Sequence, residues 1–167
     1  MQVIHGFNDG GFLMSALPSE IVDIHELYLT DDWTVICELQ NNTSIEIGRF
    51  PTEMAAKDAV KNFVNDLINR MEIKFLDISD ENYTRFVVVD KVSSVNIGDS
   101  DGKYYVSVWT VNGYQFDFKD GLDIDEASDV YHELLDKLWG EEQKEKHANT
   151  ITVDKNSWYG TTISAAK

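Results

Sequence analysis

The stretch DGLDIDEASD, residues 120–129, places five carboxylates in ten positions. Carboxylate-rich runs hold hard cations when their oxygens recur at fixed places. An EF-hand loop needs oxygen ligands at its positions 1, 3, 5 and 12 and a glycine at 6. With Gly121 as that glycine, Phe116, Phe118 and Ala127 fall on three of the ligand positions, and the template fails. A second acidic turn, GDSDG at residues 98–102, fails in the same way, because Gly102 would bring Ile97 and Val108 to the two ends of the loop.

A helix start explains the same residues better. Asp123 stands where an N-cap is wanted, and Glu126 has the spacing of a capping-box partner. Asp125 and Glu126 in a first turn complement the helix dipole. Beyond the cap, Asp125, Asp129 and Glu133 step by four residues and Asp136 follows by three. That spacing makes a line of carboxylates on one helix face, about 4.5–6 Å apart along the axis. Like charges so placed cost a few tenths of a kcal/mol each, so the line asks for a reason beyond helix stability.

Other chemistry finds little footing. His5, His25, His132 and His147 are scattered, and none has further ligands at a metal-binding spacing. The stretch DIHE, residues 23–26, puts Asp23 and His25 on one side of a strand and Glu26 on the other. A surface Asp–His hydrogen bond is the expectation there. There is no glycine-rich phosphate loop and no nucleophile elbow. The sequence therefore predicts a protein that is not an enzyme and carries no cofactor and no metal. The single cysteine, Cys37, allows no intrachain disulfide and shares a period-two row with Val35 and Leu39, which marks it as core.

These residues must be carried by elements, and the elements repeat. Shifted by 71 positions, the segment from Trp33 to Leu39 falls on that from Tyr104 to Thr110, and Asn41-Asn42 falls on Asn112-Gly113. Ala56, Val60, Val64 and Leu67 fall on Ala127, Tyr131, Leu135 and Leu138. Each half reads as strands followed by a helix. Strands are expected at 24–29, 33–39 and 43–48, and again at 92–97, 103–111 and 114–118. Two-residue hairpin turns are expected at Asn41-Asn42 and Asn112-Gly113. Further strands are expected at 11–17, 72–78 and 85–89. Apolar steps of three and four define a helix from Ala56 to Ile68 and its counterpart from Ala127 to Trp139.

The predicted fold class is α+β: two tandem β-meander-plus-helix units related by internal duplication, with antiparallel sheets and helices packed on one face. The expected domains are residues 1–71, residues 72–140, and a polar linker and tail, 141–167, with 151–153 and 158–164 as short strands or docked segments. Two-residue turns would gather Tyr105, Trp109, Tyr114, Phe116 and Phe118 on one face of the second sheet.

Charge narrows the function. Fourteen Lys and Arg face thirty Asp and Glu, a formal net charge of −16 over 167 residues. Such a chain repels nucleic acid backbones and anionic lipid and attracts basic proteins. With no basic leader or long apolar run, the expected compartment is the cytoplasm. The leading expectation is a small acidic inhibitor that occupies the basic, nucleic-acid-binding surface of a nuclease or effector complex. Nuclease inhibitors and phage anti-defence proteins work in this DNA-mimic manner as a class. Asp99, Asp101, Asp120, Asp125, Glu126, Asp129, Glu133 and Asp136, with Trp109, are the expected partner-binding residues. No direct nucleic-acid or membrane contact is expected, and homodimerisation is left open. The alternative is a structural or scaffolding module that assembles through apolar sheet surfaces.

Overall fold

The structure, a computed structural model, describes the backbone of residues 2–150 and the side chains of residues 2–140. The expected tail strands at 151–153 and 158–164 lie outside the described residues. The described residues are α+β and mostly strand, with antiparallel sheets and two α-helices. It divides into two compact units, Met1–Lys91 and Val92–Lys167.

In the first unit, strands β1 (Ile4–Phe7), β2 (Leu13–Ala16), β3 (Ile21–Leu29), β4 (Asp32–Leu39) and β5 (Ser44–Phe50) precede helix α1 (Glu53–Met71), and β6 (Phe75–Asp77) and β7 (Arg85–Val88) follow it. All join one seven-stranded sheet in the order β2-β1-β5-β4-β3-β7-β6. Strand β7, in a stretch the sequence assigns to the second unit, therefore pairs with β3 of the first, with Ile24 opposite Phe86 and His25 opposite Arg85, and β6 pairs with β7. A strand pattern records which residues want burial, not which edge they cover.

Helix α1 starts where its sequence says it should. Thr52 accepts the Ala55 amide on its Oγ1 at 3.2 Å, and Glu72 closes the helix in the left-handed region with its amide on the Ile68 carbonyl. The buried stripe Ala56, Val60, Val64 and Leu67 forms one cluster with Ile24, Val35, Cys37, Leu39 and Ile45 of the strands. Each such aliphatic side chain contributes about 1.5–3 kcal/mol on full burial. Strand β1 escapes a pattern reading because it is four residues long and carries Gly6. That glycine has a structural reason: a Cβ there would stand 2.2 Å from Ile45 Cγ2 and 2.3 Å from the Glu46 carbonyl oxygen.

The second unit holds β8 (Val92–Ser100), β9 (Lys103–Thr110) and β10 (Gln115–Leu122) in a three-stranded sheet, followed by α2 (Ile124–Thr150). Gly140, at φ 75° and ψ 175°, interrupts α2 one residue after the expected end of its apolar stripe. The buried positions Ala127, Val130, Tyr131, Leu134, Leu135 and Leu138 recur at helical spacing.

The two halves agree in detail at a spacing of 71 residues. Ile21 and Val92 open nine-residue strands, and Asp32 and Lys103 open eight-residue strands. A bulge between Ile21 and Asp23 has its counterpart between Val92 and Ser94. A second bulge, where Val35 opposes Gly48 but Ile36 opposes Glu46, recurs where Val106 opposes Lys119 but Ser107 opposes Asp117.

Both hairpin turns depart from the expected two-residue form. Thr110 pairs through its amide with the Tyr114 carbonyl, and the Gly113 amide returns to the Thr110 carbonyl. The loop is therefore three residues, with Gly113 left-handed at φ 87°. Leu39, Asn42 and Thr43 repeat the arrangement, with Asn42 at φ 63°. Asn-Gly suits either loop, because both need one residue at positive φ. The added residue slides the register by one and exchanges the faces of β10. Phe116 lies opposite Val108, and Gln115 lies opposite Trp109. The expected single aromatic face is thus divided: Phe116 sides with Val106 and Val108, while Trp109 sides with Ser107 and Gln115.

Candidate functional site

The acidic stretch is built on the junction of β10 and α2. Asp123 caps the helix reciprocally: its Oδ1 accepts the Glu126 amide at 2.8 Å, and its own amide donates to Glu126 Oε2 at 2.9 Å. This is the capping box, with both members engaged. Asp123→Ala is expected to cost about 1–2 kcal/mol, against about 1 kcal/mol for Thr52→Ala, which loses one bond. Urea unfolding of the two variants checks the order.

Beyond the box the expected residues part company. Asp125 and Asp129 are exposed on α2. Glu133 is exposed too, but Lys137, one turn on, meets its Oε1 at 3.2 Å and also stands 5.6 Å over the Phe118 ring. The four-residue line thus ends in a cation, and Asp136, three residues beyond Glu133, lies off it. Asp136 is half-buried. The uncompensated part of the line is Asp125 and Asp129, with Glu126 beside them but engaged in the cap.

Asp120 comes to a cleft of about 300 Å³ lined by Ser100, Lys103, Tyr104, Tyr105, Asp117 and Gly121. Asp117, absent from the expected set, enters there because the three-residue hairpin loop turns it to the Ser107 face of the sheet. Asp101 is exposed in the β8–β9 turn, and Asp99 is half-buried on β8 opposite Tyr104. Trp109 is 36% exposed, near Val111 and Tyr114 at the hairpin end, and so lies away from the helix cap in sequence and on the opposite sheet face from Phe116. The structure brings Asp120 and Asp117 into one cleft and ranges Asp125 and Asp129 along one helix face.

The corresponding surface of α1 is self-neutralised. Lys57 meets Glu53 at 2.8 Å and Arg70 meets Asp66 at 2.7 Å. The hydrogen bond to Glu53 holds the Lys57 ammonium above its ordinary value.

The DIHE residues are real partners but not at the surface. His25 Nδ1 lies 2.8 Å from Asp23 Oδ1 with both side chains almost fully buried, and Arg85 Nε approaches the same oxygen at 3.8 Å. On the other side of β3, Glu26 Oε1 accepts the Thr84 amide at 2.7 Å. Burial follows from β7, which lies against this part of β3. His5 meets Ser15 Oγ at 2.7 Å on exposed strands, and the His132 ring packs edge-on to Tyr131. Among the described residues no group of three or more His, Cys, Asp or Glu stands together as a metal site. A larger cleft of about 860 Å³ in the first unit, beside Phe7, Asp9 and Leu29, holds Glu46 and Arg49 as a pair at 2.6 Å. Among the described residues, no helix is long and apolar enough to cross a membrane.

Compared with known proteins, the chain matches no family model, no curated protein and no solved structure.

Proposed function

We propose that the protein is a non-enzymatic acidic inhibitor that lays the β10–α2 surface of its second unit on a basic, nucleic-acid-binding surface of another protein. The observation that carries this reading is the contrast between the two helices. Residues 117–136 hold eight carboxylates and one lysine. On α1 Lys57 pairs with Glu53 and Arg70 with Asp66, whereas Asp125 and Asp129 face solvent without a neighbouring cation on their own line. Carboxylates ranged about 6 Å apart along a rigid helix suit the phosphate-binding Lys and Arg of such a groove and steer its approach. Competition with nucleic acid is the mechanism, and the partner is a nuclease or a nucleic-acid-guided effector.

The matched spacing of strands, bulges and caps supports a further part of the reading, an internal duplication in which each half lays one helix on one face of its sheet. On that view the two copies kept a common core while only the second helix acquired an uncompensated acidic surface.

The test is capture of host-lysate proteins on the immobilised chain at low and high salt. A basic nucleic-acid-processing protein should be retained at low salt and released as screening rises. Asp125→Lys with Asp129→Lys should weaken that binding about a hundredfold, while Glu133→Lys, which replaces a carboxylate already paired to Lys137, should do less. Capture indifferent to salt and to the double reversal would overturn the proposal.

A further inference from the structure

The N-terminal hairpin differs from the rest of the chain in charge. Residues 1–19 carry one carboxylate, Asp9, and no lysine or arginine, in a protein of net charge −16. The same segment holds exposed Val3, Phe7, Phe12, Leu13 and Leu17, with Phe12 and Leu13 more than 70% exposed. Apolar side chains gathered on a nearly neutral surface mark an interaction site rather than a solubilising one.

Its backbone is equally suited to pairing. Strand β2 is the edge of the seven-stranded sheet, and β1 covers one of its sides. The Asn8 amide donates to the Phe12 carbonyl at 2.9 Å, so the antiparallel alternation turns the polar groups of Met14 and Ala16 toward β1. Those of Leu13 and Ser15 point to the side that no strand among the described residues covers. The counterpart hairpin shows this edge in use. Strand β7, whose bounds lie 72 residues beyond those of β2, pairs with β6 on one side and with β3 on the other. A strand of this type in the first unit thus has both edges occupied.

We propose that this edge of β2, which no strand among the described residues covers, pairs antiparallel with β2 of a second copy of this chain, forming a two-fold dimer through a continuous sheet. The partner is inferred from charge. A basic partner would find almost nothing to hold at residues 1–19. A second acidic copy can approach there because the segment lacks the carboxylates that repel it elsewhere, and Phe12 and Leu13 of both copies are covered together. The residues of this edge belong to the first unit and share none with the acidic face of α2.

Sedimentation velocity of the full chain over a concentration series tests this. The wild type is expected to show a monomer–dimer equilibrium that persists as salt is raised, unlike binding through the acidic face. Leu13→Lys places a charge on an exposed edge position and enters a two-fold interface twice, and should raise the dimer dissociation constant about tenfold or more. Ser15→Pro removes an outward amide while leaving the β1 ladder intact, and should do the same. Far-UV circular dichroism of both variants should match the wild type. A wild type that sediments as a monomer throughout, or a dimer that neither substitution weakens, overturns the proposal. Neither result bears on lysate capture by α2, so the two proposals fail separately.

Discussion

Asp23→Ala is expected to destabilise the first unit by about 3 kcal/mol, whereas alanine at Asp90, an exposed residue just after β7, should change little. Asp23 is fully buried on β3, between His25 on its own strand and Arg85 on β7. Removing it leaves the His25 ring nitrogen without its acceptor in the buried interior. Breaking such a buried arrangement from one side costs more than the arrangement contributes while intact. Asp23→Asn keeps an acceptor for His25 and should lose only about 1–2 kcal/mol. Urea midpoints at constant m-value give these differences directly. Equal losses for the alanine and asparagine variants would mean that the carboxylate's second interaction, toward Arg85, outweighs the hydrogen bond to His25. The position matters because Asp23 and Glu26 sit on opposite faces of the strand to which β7 and the Thr84 backbone attach.

That role could not be read from DIHE alone. The sequence does place Asp23 and His25 on one side of a strand, and they do meet. What local alternation lacks is knowledge of the neighbour, since burial here comes from a strand about sixty residues further on. The helices were more legible. The stripe from Ala56 to Leu67 and the caps at Thr52 and Asp123 depend on residues within one or two turns, and all are realised. The hairpins fell between these cases. Asn-Gly announces a turn but not its length, and one residue decided which aromatics share a face with Trp109. The acidic line was partly visible too. Its carboxylates at Asp125 and Asp129 are exposed as the helical spacing requires, while Lys137, the step after Glu133 on the same line, ends the run in a cation.

Alkali should weaken the protein through two buried acids that the fold holds in their neutral forms. Burial pushes the Tyr131 hydroxyl up to about 12. Burial, reinforced by the negative charges of Asp23 and Glu38, pushes the Cys37 thiol well above its ordinary range. Both groups ionise more readily in the unfolded chain than in the folded one. Their contribution is therefore complete below the unfolded values and is lost as pH rises toward the folded ones. For Cys37 the loss begins near pH 9, and for Tyr131 near pH 10. Tyr131 alone should account for about 2–3 kcal/mol by pH 12, from a shift of roughly two units. Tyr131→Phe should flatten the decline above pH 10, and Cys37→Ala should flatten the part that begins lower, each after its own constant cavity or packing cost at neutral pH. Because Tyr131 lies in the second unit and Cys37 in the first, the two variants also report which unit each part of the decline belongs to. Thiol reagents give an independent reading, because a fully buried Cys37 should react only at the rate at which the first unit opens. Rapid labelling of the native protein at neutral pH, or an alkaline profile that Tyr131→Phe leaves unchanged, would contradict the neutral, buried state from which the argument starts.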